Sequence, residues 1–482
     1  MDKKLFKNYI YNILYQLVKL FLPLFLVSYT YAHLGPSTLG INDYAANISS
    51  WFILLGVLGV NTYGNREIAK VRDNKERLSK EFYEILLMQI INMSIALVLY
   101  VGYTLLFVKE NQIIYFLICL SILASVFDIS WFYYGVEDFG IVSLRNIIVK
   151  IVSVLLIFAF VKKPADLWMF TLINSLSDLI GQLITFLGLK KYINKTKVSV
   201  KDAYKNHLAG TFALFIPTVA INIYTLLDQT LLGTMVEDKG QLNLYKTSVS
   251  FVKMFLYFVT SIGSVVMPRI ANLFVKNKDH SEVNRYINMT FKLAIILSIP
   301  IFVALEVVSG SFFPWYTKDE YMYVIPLVRL VSPIIIFISL SNVFGTQYLV
   351  PVGRNSEYTK SIIAGALINL IINLYAIPRW QAAGACVASV CAEFTVTFVQ
   401  WLYIRKDVEI HSMSSFIKSL ISAIVMGVII YFIGNAMGAR IITNLVQAIV
   451  GMMVYVAMLL VLKEETVRNL YNKYILKKDE AH

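Results

Sequence analysis

The sequence predicts an all-α integral membrane protein with about fourteen transmembrane helices. Of the 482 residues, 58% are hydrophobic and only 15% are charged, whereas soluble proteins carry about 25% charged residues. The mean hydropathy is +0.66. A spanning helix needs about 20 mostly apolar residues, so a chain of this length accommodates fourteen of them. This composition excludes a soluble enzyme and a disordered protein.

Apolar windows locate the expected spans. Helices are expected rather than barrel strands, because the apolar runs are too long for strands and lipid cannot satisfy a free backbone. The outer loops are too short to hold a separate domain. The predicted spans lie near residues 9–31, 45–63, 83–108, 113–132, 143–161, 167–189, 211–235, 243–266, 290–311, 325–349, 359–377, 383–404, 415–434 and 441–461.

The distribution of lysine and arginine predicts the orientation. Loops on one side of the expected spans contain 28 of these residues, and loops on the other side contain 7. Cytoplasmic loops are enriched in basic residues, so both termini are expected in the cytoplasm. The same rule accounts for the net charge of +13 without a nucleic-acid partner.

Weak internal similarity indicates two repeated lobes. Asn8-Tyr9 and Asn206-His207 are 198 residues apart, as are Leu34-Gly35 and Leu232-Gly233. Transporters often contain such repeats. We therefore predict an N-lobe of helices 1–6, a C-lobe of helices 7–12 and two extra helices with a cytoplasmic tail, at residues 1–206, 207–405 and 406–482.

Three lysines inside predicted spans are the main candidates for substrate binding. An intramembrane charge costs about 2.5–3.5 kcal/mol and usually faces a wet cavity or a partner. Lys19 lies in helix 1, and Lys246 and Lys253 share one polar face of helix 8 with Tyr257. Ammonium groups bind phosphates, so these residues suit an anionic ligand. Snorkelling to the interface is the alternative, and it fits Lys246 best.

Helices 6, 7 and 12 carry further polar residues. Asn222 and Gln229 lie on one face of helix 7 with Asp228 beside it, and they extend the predicted cavity. Asp178 and Glu393 lie at the centres of helices 6 and 12. Buried carboxylates bind cations, carry protons or pair with bases, so these three acids are candidate ion-coupling residues. An ion pair with Lys150 is the structural alternative for Asp178.

The sequence lacks the motifs of several common chemistries. The chain contains no Gly-x-x-x-x-Gly-Lys-Ser/Thr loop for ATP, and no spacing of His and Cys typical of a metal site. Cys119, Cys386 and Cys391 fall inside predicted spans. The five histidines, of which His207 opens helix 7, show no convincing partner in the sequence. We expect neither an enzyme nor a bound cofactor, apart from a coupling proton or sodium ion.

The motifs of the chain resemble those of Wzx-type polysaccharide flippases of the multidrug/oligosaccharidyl-lipid/polysaccharide exporter (MOP) superfamily. The resemblance covers essentially the whole chain, and the order of loose motifs along the fourteen spans carries it. These motifs are Leu34-Gly35 with Gly40 and Tyr44-Ala45, the run Gly59 to Lys70, Leu227-Asp228 with Leu232-Gly233, Met267-Pro268-Arg269, Pro351-Val352-Gly353-Arg354 and the run Asn373 to Ala385.

The resemblance implies a fold and a function. It implies two six-helix lobes around a central cavity lined by helices 1, 2, 7 and 8. It implies movement of undecaprenyl-pyrophosphate-linked oligosaccharide repeat units to the outer leaflet, for capsule, O-antigen or a related polymer. The implied partners are this substrate, the phospholipid bilayer, a polysaccharide polymerase and chain-length proteins, and the implied state is a monomer.

Three other functions fit parts of the sequence. A cation-coupled multidrug exporter of the same superfamily would share the fold, but the predicted cavity is basic. A membrane-bound polysaccharide polymerase or ligase would need a larger outer segment. In a membrane scaffold, the polar helix faces formed by these residues would have no function.

The orientation can be tested by accessible-cysteine labelling. Because the basic loops are expected inside, a cysteine at position 73 should react only from the cytoplasmic side, and one at position 319 only from outside. Labelling of both positions from one side would contradict the fourteen-span topology.

Overall fold

The computed structural model describes residues 3–276, 280–317, 322–408 and 413–474. This part of the chain consists of helices and turns, so the predicted all-α class is confirmed. Ten stretches of the described residues are long and apolar enough to cross a bilayer, which makes the chain a multi-pass membrane protein. The count of fourteen spans stays a prediction.

The described residues form sixteen α-helices, joined by short turns, two 3₁₀ segments (Pro164–Asp166 and Phe186–Lys191) and one π-helix (Asn342–Leu349). The α-helices are α1 (Lys3–Val57), α2 (Val60–Val71), α3 (Lys75–Phe107), α4 (Gln112–Val126), α5 (Ser130–Gly135), α6 (Gly140–Phe160), α7 (Leu167–Thr185), α8 (Val200–Met235), α9 (Gly240–Lys276), α10 (His280–Thr317), α11 (Val324–Val331), α12 (Ile334–Ser341), α13 (Asn355–Ile404), α14 (Met413–Met437), α15 (Ile441–Val461) and α16 (Glu465–Tyr474).

The chain divides into two compact units, Met1–Asn243 and Leu244–His482. In the first unit α4 packs on α3 and α7, and α8 packs on α1, α2 and α3. In the second unit α14 packs on α10 and α15, and α12 packs on α13. The division of the sequence into lobes at residues 206 and 405 rests on the repeat, and it stays a prediction.

The first two predicted spans are not separated by a loop. α1 runs from Lys3 to Val57, and the segment expected to connect the spans is helical. The chain bends at Gly35, whose φ of 73° and ψ of 163° are not helical. Glycine adopts positive φ without a Cβ clash, and Pro36 has the fixed φ that suits the start of the next helical stretch. The bend therefore takes one residue, where the sequence predicted a loop.

Two later spans also differ from their predicted form. The spans at 359–377 and 383–404 belong to one helical element, α13, which is interrupted at Gln381 (φ 49°, ψ −123°). The span at 325–349 is divided into α11, α12 and the π-helix. Pro333 lies between α11 and α12, and it lacks the N–H that would continue the helical hydrogen bonds. Hydropathy detects the apolar length of such segments but not these interruptions.

An aromatic core holds the first unit together. Trp131, Phe82 and Phe132 are at most 1% exposed and pack against one another. Gln89 joins this core to the break between α4 and α5. Its Nε2 donates to the backbone oxygens of Ser125 and Asp128 at 3.0 and 2.9 Å, and its Oε1 accepts from Trp131 Nε1 at 2.9 Å. The side chain thus bonds carbonyls that the helix break leaves without a helical partner.

The two extra helices belong to the second unit. α14 and α15 pack on α10. Ser311 Oγ of α10 donates to Gln447 Oε1 at 2.8 Å, and Gln447 Nε2 donates to the backbone oxygen of Ile430 at 2.8 Å. One buried amide therefore joins α10, α14 and α15, and such bonds are worth about 0.6–2 kcal/mol in membrane proteins.

Small residues allow α1 and α8 to approach closely. A Cβ on Gly233 would lie 2.2 Å from Cδ2 of the Tyr44 ring. A Cβ on Gly40 would lie 1.8 Å from the backbone oxygen of Lys239. Neither position has room for a side chain. The glycines of two sequence motifs therefore serve packing within the first unit.

Gly233→Ala should lower the stability of the protein. The added methyl must displace Tyr44, and overpacking of this kind costs about 1–3 kcal/mol. Gly102→Ala is the matched control, because a Cβ there meets nothing within 4 Å and alanine favours a helix. Thermal unfolding in detergent measures both variants. Equal melting temperatures for wild type and Gly233→Ala would contradict the close packing.

Candidate functional site

Residues on α9 form the first part of the predicted site. Lys246, Lys253 and Tyr257 share one face of this helix. Both lysines are half-buried, and Tyr257 is 57% exposed. A different face carries Val252 and Val259, which are buried in the second unit. α9 therefore presents a basic polar face alongside an apolar face that packs in the core.

The other predicted substrate-binding residues lie in the first unit. Lys19 is exposed on α1, and Gln229 is half-buried on α8. The Nε2 of Gln229 donates to the backbone oxygen of Thr225 at 3.3 Å. The side chain of Asn222 lies outside the described residues. That these residues line one cavity together with the lysines of α9 stays a prediction.

Asp228, a candidate ion-coupling residue, lies in a packed part of α8. It is 1% exposed. On the same stretch, Thr230 Oγ1 donates to Asn47 Oδ1 at 2.7 Å and accepts from Trp51 Nε1 at 2.8 Å. Asn47 Nδ2 donates to the backbone oxygen of Leu226 at 3.1 Å. Residues of α8 two positions before and two positions after Asp228 thus bond to α1.

Asp178 lies on the exposed side of α7, close to basic residues of α6. Lys150 and Arg145 both act electrostatically on its carboxylate, Lys150 more strongly. Arg145 is 7% exposed, and its Nη1 donates to Gln182 Oε1 at 2.5 Å. Lys150 is therefore a charged neighbour of Asp178, but among the described side chains the structure does not show the ion pair that the structural interpretation named. It does not test the ion-coupling interpretation.

Glu393 lies in a buried polar stripe of α13. Its side chain is 8% exposed, and its charge acts on Tyr358. The neighbouring members of the stripe make bonds within the second unit. Ser389 Oγ lies 2.9 Å from Tyr245 Oη, Thr397 Oγ1 donates to the Phe337 backbone at 2.8 Å, and Gln400 Nε2 donates to Ser361 Oγ at 3.1 Å. This polar stripe of α13 is thus a packed hydrogen-bonded seam.

His207 is the residue whose environment the sequence did not reveal. The sequence offered it no partner, but in the structure its ring bonds to two other helices. Nε2 lies 3.0 Å from Glu84 Oε2 of α3, and Nδ1 lies 3.0 Å from the Tyr63 hydroxyl of α2. The available signal was Glu84, an acid inside the predicted span 83–108. Its partner, however, is 123 residues away in the chain.

The predicted site residues carry ammonium, amide, phenol and carboxylate groups. Among the residues that the structure describes, no group of three or more His, Cys, Asp or Glu side chains could hold a metal ion. Cys119 and Cys391 are half-buried, and Cys386 is buried. Ammonium, amide and phenol groups on helix faces can bind an anion and hydroxyl groups.

Comparison with solved structures identifies the fold. The chain resembles a structure described as the lipid II flippase MurJ in an inward closed conformation, with a TM-score of 0.75 at 15% identity. The match covers 96% of this chain and 99% of that one. An inward-facing multidrug resistance MATE family transporter of the MOP superfamily matches with a TM-score of 0.61 at 10% identity, over 80% and 93% of the two chains. The expected MOP-type fold is therefore confirmed.

Sequence comparison agrees. A protein of Escherichia coli (strain K12) named "Putative O-antigen transporter" is 24% identical over 413 residues, which cover 83% of this chain and 97% of that protein. The lipid II flippase MurJ of Bacillus subtilis (strain 168) is 22% identical over 44% of this chain and 43% of its own length. The names of these relatives describe a transporter and a flippase, in agreement with the prediction that the chain is not an enzyme. The model of the family described as polysaccharide biosynthesis protein matches residues 5–274, more than half of the sequence, and the chain belongs to that family.

Proposed function

We propose that the protein is a flippase for lipid-linked oligosaccharides. It moves undecaprenyl-pyrophosphate-linked repeat units from the cytoplasmic to the outer leaflet of the bacterial plasma membrane by alternating access. The observation that carries the proposal is the basic face of α9, formed by Lys246 and Lys253 in a chain of this family. The relative named for O-antigen transport supports a substrate destined for a surface polysaccharide.

The diphosphate of such a substrate explains the need for lysines. A diphosphate that enters the membrane loses its hydration, and an unpaired buried charge is costly. Fixed ammonium groups replace the lost water as compact, strongly donating cations. Lys246 and Lys253 lie seven residues apart on one face of α9, so both can donate to the same head group. Lys19 of α1 is the third cation in this proposal.

The polar side chains supply contacts for the sugars. Gln229 and Asn222 of α8 carry amides that both donate and accept, and Tyr257 of α9 offers a ring and a hydroxyl. Tyr257 is 57% exposed, and in this proposal its hydroxyl contacts the ligand. In this proposal the lysines hold the diphosphate that all such substrates share, and the other residues contact the variable oligosaccharide.

A cation-coupled multidrug exporter is the second candidate, because the structural match to a MATE transporter supports it. Its cargo would be cationic, and a helix face that carries Lys246 and Lys253 repels cations. The two candidates therefore predict opposite effects of removing positive charge. Loss of the lysines abolishes flipping of a diphosphate lipid, but it would favour the binding of a cationic drug.

Two sources of energy are available to the proposed cycle. A charge that crosses the full membrane potential changes in free energy by about 2.3 kcal/mol per 100 mV. The potential therefore biases the movement of a dianionic head group. A coupling cation is the second source, and we propose that Asp178 and Glu393 bind it, as proton or sodium.

The lysines can be tested by export of the surface polymer in a deletion strain. Lys19→Ala and Lys253→Ala should each reduce export about tenfold or more, because a hydrogen bond to a charged group is worth about 1.5–3 kcal/mol. Arginine at either position should be partly tolerated, since the charge remains. Lys109→Ala, an exposed residue between α3 and α4, is the control and should be silent. Wild-type export from both alanine variants at normal protein levels would remove the cationic mechanism.

The acids are tested by the ion dependence of transport in proteoliposomes. If Asp178 and Glu393 couple a cation, Asp178→Asn or Glu393→Gln should remove the dependence on pH or sodium while the protein still folds. Glu110→Gln, at an exposed position, is the matched control. Ion dependence that is unchanged in both variants would leave the two acids with a structural role, through Lys150 in one case and the seam of α13 in the other.

A further inference from the structure

A histidine and a glutamate are buried together where α3 meets α8. The side chain of His207 is 3% exposed and that of Glu84 is 2% exposed. The Nε2 of His207 lies 3.0 Å from Oε2 of Glu84, and the same oxygen accepts from Asn206 Nδ2 at 2.9 Å. Burial of an ionised carboxylate is costly unless donors surround it. Two adjacent residues of α8 are therefore the donors that stabilise the Glu84 carboxylate.

The other ring nitrogen of His207 is bonded as well. Its Nδ1 lies 3.0 Å from the hydroxyl of Tyr63 on α2. The Tyr63 ring also packs tightly on α8, since a Cβ on Gly210 would lie 2.2 Å from it. The imidazole is therefore held at both nitrogens, with α2 on one side and α3 on the other.

Further charges surround the imidazole. On α3, Glu81 Oε2 lies 3.5 Å from His207 Nε2, and Lys80 Nζ lies 3.7 Å from Glu84 Oε1. The atom Glu84 Oε1 accepts no hydrogen bond from any described residue. On α2, Glu67 is paired with Arg66 and Lys70 on the exposed side of the helix. One further carboxylate, that of Glu81, and one lysine are thus within 4 Å of the pair formed by His207 and Glu84.

The cluster accepts both protonation states of His207. When the ring is neutral, Nε2–H donates to Glu84 and Nδ1 accepts from the Tyr63 hydroxyl. When the ring is protonated, Nδ1–H donates to the Tyr63 oxygen, and the contact with Glu84 becomes an ion pair. The neutral ring already makes a charge-assisted bond to the Glu84 carboxylate, and protonation adds the attraction between two opposite charges. A proton on His207 therefore strengthens the attachment of α8 to α3 without moving a heavy atom.

We propose that His207 is a proton-binding latch that fastens α8 to α3. Histidine is the side chain whose charge ordinarily changes between pH 5 and 8. With the proton bound, Glu84 and Glu81 hold the imidazolium, and α8 is fixed. When the proton leaves, His207 and Asn206 remain as neutral donors to Glu84 without the ion pair, and the two helices separate more easily. The exchanging proton is the one on Nδ1, which comes from water and returns to water, and no covalent bond other than N–H forms or breaks.

The latch acts on a long element. α8 is one helix of 36 residues, about 54 Å in length. His207 lies near its start, and Gly233 near its end packs on Tyr44 of α1. A helix attached at both ends changes position only when one attachment opens. For transport, which rests on the proposed function, the latch would make the opening of α8 depend on pH. This device is distinct from cation coupling through Asp178 and Glu393.

Spin-label distances test the latch without any transport assay. In the full-length protein with Cys119, Cys386 and Cys391 replaced, labels at Lys75 of α3 and Lys201 of α8 occupy exposed positions. We expect a narrow distance distribution at pH 6 and a broader one, with a second population, at pH 8.5. His207→Gln and Glu84→Gln are near-isosteric and should each abolish the difference between the two pH values.

His33→Gln is the matched control. The His33 ring stacks on Tyr29 with 4.1 Å between ring centres, and its Nδ1 bonds to the backbone oxygen of Tyr29 in the same helix. The pH response should therefore remain in this variant. An unchanged distance distribution in the unsubstituted labelled protein at the two pH values would overturn the proposal by itself. A full pH response in a folded His207→Gln protein would overturn it as well.

The transport arm separates the latch from the proposed function. In proteoliposomes with an undecaprenyl-pyrophosphate-linked oligosaccharide, wild-type flipping should change with pH, and His207→Gln should make it independent of pH between 6 and 8.5. If the labelled protein responds to pH but flips no substrate, the proposed function fails and the latch stands. If flipping occurs and the spin-label distances do not change with pH, the latch proposal fails and the proposed function stands.

Discussion

A polar group in a hydrocarbon layer must find its partner inside the protein, and the rest of this structure depends on that constraint. It acts on backbone and side chains alike. Where the chain between α4 and α5 leaves helical geometry, Gln89 bonds the carbonyls of Ser125 and Asp128. Where a cation lies within a helix, as Arg145 does, a side chain of the next helix accepts from it. Breaks and charges are tolerated where such a partner is built in.

The same constraint explains how much of the fold could be predicted. Length and apolarity are properties of each segment by itself, so hydropathy located the helices and the class of protein. The bends depend on single residues with unusual backbone angles, Gly35 in α1 and Gln381 in α13. Apolar windows average over such residues. The predicted loop between the first two spans is consequently a bend of one residue, and the span at 325–349 is three helical pieces.

The same difference between local sequence pattern and tertiary contact applies to the candidate site. The face formed by Lys246, Lys253 and Tyr257 could be found because helical periodicity places residues of one segment on one side. The cluster of His207 and Glu84 could not, because its members come from segments 123 residues apart and neither sequence neighbourhood points to the other. Glu84 was visible only as an acid in an apolar run, a sign that a partner exists but not which one. Local sequence patterns predict which residues share a helix face, whereas tertiary packing decides which residues pair with each other.

The contacts between glycines and aromatic rings have a consequence for the evolution of the family. Gly233 lies against Tyr44, Gly64 against Trp131 and Gly210 against Tyr63, and in each case a Cβ would come within 2.2 to 2.7 Å of the ring. Each pair shares one volume, so neither member can grow unless the other shrinks. Relatives that carry alanine or serine at one of these glycines should therefore carry a smaller side chain at its partner. The two residues of each pair should therefore change together among relatives, even where the sequences are less than a quarter identical.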